Sequence, residues 1–324
     1  MKFNNGGASF ASLYMKKDFI SITDAGKSLD ALIARAVRLK SELRQHRGHL
    51  LSRPLKNRQL AMIFEKSSTR TRVSFEVAMS QLGGNAIFLN SKDIQLGRGE
   101  TVGDTARVLS RYVDCIVYRA NSNSLMNELA SSSAVPVINA LDDVEHPCQA
   151  LADMMTVKEH FGRLKGLRFA YVGDGNNVCN SLMLASAMSG MHFIAATPKG
   201  YEPPQRISQL AASIAIENKS RIEVVNDPEV AARKANVLYT DVWVSMGQES
   251  EREEKEKFFQ RYQINSSLLS LSDRRSIVMH CLPAHRGMEI TDEVLDGERS
   301  AVMDQAENRL HTEKALLLWL LGRR

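Results

Sequence analysis

"QLAMIFEKSSTRTRVSFEVAMSQLGGNAIFLN", residues 59–90, holds the plan of the fold in miniature. QLAMIF is an apolar run of strand length, residues 68–82 carry a helix period, and NAIFLN is strand-like again. Ser68 and Thr69 stand where a helix start calls for a capping hydroxyl. The order predicts a βαβ unit with parallel strands. The same stretch carries a conflict. Lys66, Arg70 and Arg72 crowd the helix start, where peptide dipoles already place about half a positive charge. An Arg72–Glu76 pair, worth about 0.2–0.5 kcal/mol, relieves little of it. A bound dianion does, held by free backbone N–H groups, the hydroxyls of Ser68, Thr69 and Thr71, and the planar fork of Arg70. No GxxxxGK[ST] occurs, so this is not a Walker loop.

Working outward, the alternation persists almost throughout. A helical segment at 28–46 precedes the unit; DCIVYR (114–119) and VPVINAL (135–141) follow as strands, with helical segments at 101–113 and 123–133. HPCQALADMMTVKEHFG (146–162) is a long helix with no strand of its own, a connector. A second series then runs through LRFAYVGDG (167–175), MHFIAATP (191–198), RIEVVND (221–227), NVLYTDVWV (236–244) and SIVMHCLPA (276–284). The pattern predicts an α/β protein of two doubly wound domains with mostly parallel sheets, joined by connector helices, the boundary falling between residues 146 and 165. The last helix, from Ala306, is strongly apolar and packs on a neighbour. Ligands of such sheets sit beyond the carboxyl ends of the strands, so two facing domains make a cleft.

Composition narrows the classes. With 44% hydrophobic and 24% charged residues in 324, this is the balance of a soluble globular chain. No apolar run reaches membrane-spanning length, and the start lacks the apolar core of a secretory leader; residues 1–14 read as a tail. Cys115, Cys148, Cys179 and Cys281 are scattered without a CxxC pair, which argues for a reducing, cytoplasmic setting rather than a disulfide or thiolate-zinc framework. The net charge of +5 suits an anionic partner, but acidic and basic residues are interspersed, so nucleic acid is not expected.

Further polar groups gather at strand ends. Arg119 ends CIVYR; His146 and Gln149 open the connector helix, where Pro147 suits the first turn. VGDGNNVCNS lacks the third glycine of a dinucleotide fingerprint, Val178 standing in its place, and Asn176, Asn177 and Asn180 present amides suited to a small polar molecule. Asp241 ends a strand ahead of Ser245 and Met246, placed to hold an ammonium group. His280, Cys281 and His285 have the look of metal spacing, yet no further cluster accompanies them, and a loop lining the cleft is the better reading. Arg309 begins the last helix.

The ordered set STRTR, an arginine ending a strand, HPxQ, GDGNN, DxWxSMG and HCLP resembles ornithine carbamoyltransferase, in the aspartate/ornithine carbamoyltransferase family, across nearly the whole chain. The resemblance implies that Ser68, Thr69, Arg70 and Thr71 bind the phosphate of carbamoyl phosphate. Arg119, His146, Gln149, Cys281, Leu282 and Arg309 would complete that site, with Gln95 reaching in from an adjacent subunit of a trimer. Asn177, Asp241, Ser245 and Met246 would bind L-ornithine. Arg119, His146, Asp241 and Cys281 would be the catalytic groups. Residues 1–150, with helix 306–324 packed back on them, would form the carbamoyl phosphate-binding domain and residues 151–305 the ornithine-binding domain. YRA and HPCQ depart from the commonest YRG or FRT and HPTQ without removing a polar ligand. The implied reaction, in arginine metabolism, yields L-citrulline and phosphate with no cofactor or metal; the arginine-biosynthesis and degradative forms of the enzyme run the same chemistry.

Rival nucleophiles are separable. An aspartate site needs arginines for two carboxylates in the second domain; this chain has DVWVSMG and HCLP there. Putrescine lacks the α-carboxylate that the asparagines would bind. A non-catalytic relative that keeps the fold would lack some ligand of the set, and every expected one is present.

Overall fold

The computed structural model describes residues 16–45, 53–244 and 252–322. The tail at 1–14 and the candidates Ser245 and Met246 lie outside the described residues.

After α1 (Leu29–Gln45) the chain alternates strand and helix: β1 (Gln59–Phe64), α2 (Thr69–Leu82), β2 (Asn85–Asn90), α3 (Val102–Leu109), β3 (Cys115–Arg119), α4 (Asn123–Ser132) and β4 (Val137–Leu141). These strands form one parallel sheet in the order β2-β1-β3-β4. β1 and β3, in its middle, are apolar runs buried almost throughout, while β2 at the edge is half-exposed, as two-faced burial of a parallel sheet demands. Ser68 caps α2, its hydroxyl accepting from the Thr71 N–H at 3.4 Å, and Gly83, at φ 89°, closes it in the left-handed conformation glycine tolerates.

α5 (Pro147–Phe161) leads to the second series: β5 (Arg168–Val172), α6 (Asn177–Met188), β6 (His192–Ala196), α7 (Gln205–Glu217), β7 (Ile222–Val225), α8 (Pro228–Ala232), β8 (Val237–Thr240), α9 (Arg252–Phe259), α10 (Ser266–Ser270), β9 (Ile277–His280), α11 (Asp292–Leu295) and α12 (Val302–Leu321). Its five strands are again parallel, in the order β7-β6-β5-β8-β9. α12 begins four residues before the predicted start and packs on α1, α2 and α5.

Both sheets are doubly wound, so each has one point where the strand order reverses: between β1 and β3 in the first, between β5 and β8 in the second. Ligands of open α/β sheets bind outside the carboxyl ends of the strands at such points. The chain segments leaving those four strands are STRTR, Arg119, GDGNN and Asp241.

Candidate active site

At the first reversal, α2 presents its amino-terminal turn with no acidic residue in it. Arg72 is neutralised locally, its Nε donating to Glu76 at 3.0 Å and its guanidinium lying 3.8 Å from the centre of the Phe88 ring. Arg70 makes no hydrogen bond or ion pair among the described residues. Burial lowers its affinity for its proton, Cys281 and Asp241 oppose that, and Arg309 adds to it.

Arg119 is the sharper case. A register shift between Tyr118 and Arg119 breaks the β3–β4 ladder where the side chain leaves the sheet, the kind of irregularity that re-aims a residue. Its side chain is buried, at 5% exposure for the residue, and finds no hydrogen bond or ion pair among the described residues; Nε is fully enclosed and unpartnered. Burial, then Arg309 and Arg70, push the guanidinium down to about 10.

His146 caps α5 behind a tight turn in which Asp142 Oδ1 accepts from the Val144 and Glu145 N–H groups. The imidazole is buried, and its Nδ1 has no partner among the described residues. Burial, with Arg309, Arg119 and Arg70 adding, holds it well below the usual histidine range, so it is neutral at pH 7. Gln149 and Arg309 are fixed from behind: Arg309 Nη1 donates to Gln149 Oε1 at 2.9 Å and Nη2 to Thr71 Oγ1 at 3.2 Å. Nε and Nη2 both donate to Glu313 Oε1.

On the other side, Asp241 is buried and takes three donors: Asn176 Nδ2 at 2.8 Å, the Val242 N–H at 2.8 Å and Cys281 Sγ at 2.9 Å. Burial first, then the Asp241 carboxylate, push the Cys281 thiol well above its ordinary value, so it is a donor and not a thiolate. Leu282 follows at φ 60°, a left-handed conformation costly for a branched residue, with its N–H on His280 Nδ1 at 2.9 Å. Asp241, His280 and Cys281 bring ligand atoms within 4.8 Å of one another. Yet both ring nitrogens of His280 are engaged, Nε2 lying 3.2 Å from Glu289, so the trio has no free imidazole nitrogen for a metal.

The asparagines differ from expectation. They are predicted to present amides to a small polar molecule; the amide nitrogens of Asn177 and Asn180 instead tie the second unit to the segment that follows β4. Asn177 Nδ2 donates to the Asp142 carbonyl at 2.6 Å and Asn180 Nδ2 to that of Val144 at 2.9 Å, while Asn176 caps α6. The Oδ1 of Asn177 has no partner among the described residues. Gly175 answers for the missing dinucleotide loop: a Cβ there would lie 2.3 Å from Pro203 N, so this glycine permits loop packing rather than pyrophosphate approach. Ser68 is half-buried and Thr69 exposed at the start of α2, and Gln95 is exposed on a 3-10 turn, Gln95–Arg98.

Residues 17–159 match the carbamoyl-P binding domain of aspartate/ornithine carbamoyltransferase, and residues 165–320 match its Asp/Orn binding domain. The chain belongs to the aspartate/ornithine carbamoyltransferase family. An ornithine carbamoyltransferase of Methanoculleus marisnigri is 54% identical over 95% of this chain and 98% of its own, and a catabolic one of Thermoplasma volcanium is 52% identical over 95% and 99%. Among solved structures, the ornithine carbamoyltransferase from Pyrococcus furiosus superposes with a TM-score of 0.91 at 48% identity, covering 95% of this chain and 98% of that one. The residues leaving the two sheet reversals thus come together, Arg70 within electrostatic reach of Asp241 and Cys281, and Arg119 of Cys281. What the motifs did not reveal is the layer behind them, Asp153, Gln305, Tyr239 and Glu313. The one signal for it was spacing, with Gln149 and Asp153, and Arg309 and Glu313, each four apart on a helix.

Proposed function

We propose that this protein transfers the carbamoyl group of carbamoyl phosphate to the side-chain amine of L-ornithine, giving L-citrulline and phosphate. The observation that carries the reading is the buried Arg119, without a partner among the described residues, beside Arg70, likewise without one there, and the uncharged His146. A buried charge without a partner is strongly unfavourable, and an anionic substrate supplies the partner.

In this reading residues 1–150 with the final helix hold carbamoyl phosphate, and residues 151–305 hold ornithine. Ser68, Thr69, Arg70 and Thr71 grip the phosphate; Arg119 and His146 point donors at the carbonyl oxygen; Gln149, Leu282 and Arg309 frame the carbamoyl group. Asp241 and the Cys281 thiol receive the amine, and Asn177, with Ser245 and Met246, receives the amino-acid end. The amine nitrogen attacks the carbonyl carbon, a tetrahedral oxyanion forms, and the carbon–oxygen bond to phosphate breaks with its electron pair leaving on phosphate. Donors preorganised around a developing oxyanion provide the largest kind of stabilisation at such sites. Cys281, as a thiol, is no base, so the proton shed by nitrogen passes to Asp241 or the departing phosphate. The amine itself, with an ordinary pKa of about 10.4, is uncharged in about one molecule in a thousand at neutrality.

We extend the reading to a cytoplasmic homotrimer in arginine biosynthesis, the direction driven by cleavage of a mixed anhydride. Gln95, exposed on its 3-10 turn, would reach the cleft of a neighbouring subunit. The test is citrulline formation with ornithine beside aspartate, putrescine and N-acetylornithine. Turnover with ornithine alone is expected; turnover only with another amine would discard the second domain's assignment, and silence with all four would leave a non-catalytic relative.

A further inference from the structure

Behind the cleft lies a buried carboxylate that no candidate motif includes. Asp153, on α5, is 0% exposed, so it touches neither solvent nor an open cleft. Its Oδ1 accepts from Gln149 Nε2 at 2.8 Å and from Gln305 Nε2 at 2.7 Å, and its Oδ2 accepts from the Tyr239 hydroxyl at 3.1 Å. Each donor leads to a different wall of the site. Gln149 carries the bond onward to Arg309 and thence Thr71. Tyr239 lies on β8, two residues before Asp241. Gln305 Oε1 accepts from the N–H of His280, one residue before Cys281. Two helices, α5 and α12, and strand β8 of the second sheet therefore meet at one side chain, with β9 joined to it through Gln305.

The amide of Gln149 has no orientation of its own. Its two ends differ only in donating or accepting, and a half-turn exchanges them at little steric cost. Asp153, an acceptor, holds Nε2 and so forces Oε1 toward the Arg309 guanidinium. We propose that Asp153 is a positioning residue for carbamoyl transfer: it fixes the Gln149 amide, and through it the Arg309 fork, in register with the strand ends that bear Asp241 and Cys281. This rests on the carbamoyl-transfer reading above.

Asp153→Asn keeps the shape but places one amide among three donors. One of them must then lose its acceptor, and the Gln149–Arg309 pair loses the charged anchor that holds it in place. Misplacement of a reacting group by about an ångström costs on the order of a hundredfold, so kcat should fall by about ten- to a hundredfold in a protein that still folds cooperatively. The decisive readout is a cycle with Gln149→Ala. If Asp153 acts through Gln149, the asparagine substitution costs kcat in the wild-type background and adds almost nothing in the Gln149→Ala background. An equal loss in both backgrounds, or none in either, overturns the assignment. Should Asp153→Asn not fold, Tyr239→Phe, which withdraws one donor from the same carboxylate, is run through the same cycle, with a smaller loss of about three- to tenfold expected in the wild-type background alone. A wild-type protein that makes no citrulline overturns the carbamoyl-transfer reading instead, so the two failures are distinct.

Discussion

Replacing Arg119 by methionine should abolish most turnover and, without substrate, make the protein more stable. The guanidinium is buried without an anion among the described residues, and burial, Arg309 and Arg70 push it down to about 10, two to three decades below the ordinary arginine value. At 1.36 kcal/mol per decade, the free protein carries that charge at a cost of about 3 kcal/mol. The sign is fixed by linkage: a base whose affinity is depressed on folding destabilises the native state at every pH below its folded value, and the cost fades only above about pH 10. Methionine keeps the apolar stem and removes the charge. Urea denaturation at pH 7 should therefore show Arg119→Met more stable than wild type by up to about 3 kcal/mol in the free state. Saturating phosphate should narrow the gap, because an anion that binds only the folded protein stabilises the wild type more. Citrulline formation should fall by about 10²–10³, the loss for one preorganised donor, about 2.7–4 kcal/mol. A variant less stable than wild type in the free state, or one losing under tenfold in turnover, refutes the reasoning.

Asp241→Asn keeps an acceptor for Cys281 and Val242 but removes the charge facing the amine; kcat/KM for ornithine should fall about ten- to over a hundredfold, the worth of a charged hydrogen bond. Carbamoyl phosphate binding measured by calorimetry should stay within about threefold. Glu145 accepts from the Ile22 N–H and the Ser181 hydroxyl, and burial raises its carboxyl to about 7. A carboxyl raised on folding stabilises fully below its unfolded value and loses that contribution as pH climbs to its folded one. Glu145→Gln should thus gain on wild type by up to about 3 kcal/mol between pH 4.5 and 8, read from paired denaturation curves; a constant difference across that range would show that Glu145 does not titrate there. Cys281, held as a thiol against Asp241, should alkylate with iodoacetamide much more slowly at pH 7 than a free cysteine and faster in Asp241→Asn; equal rates would place the thiol outside that field.

The sequence alone determined the fold class. Strands buried on both faces of a parallel sheet must be continuous apolar runs, and QLAMIF, CIVYR and FAYV are; helices between them carry a 3.6 period and a capping hydroxyl such as Ser68. The phosphate end of the site was legible for the same local reason, because a helix start, its hydroxyls and an unneutralised Arg70 all fall within four residues. Tertiary structure decided what depends on distance along the chain. Strand order is set by how crossovers pack, so only the fold places STRTR and Arg119 at one reversal and GDGNN and Asp241 at the other. The bonds that the Asn177 and Asn180 amides make were not legible in sequence because their acceptors, the Asp142 and Val144 carbonyls, lie 35 and 36 residues away. Asp153 looked like one more residue of a connector helix, since two of its three donors, on Tyr239 and Gln305, are 86 and 152 residues off. A side chain's identity fixes what it can donate or accept; only the folded chain fixes which partner is within 3 Å.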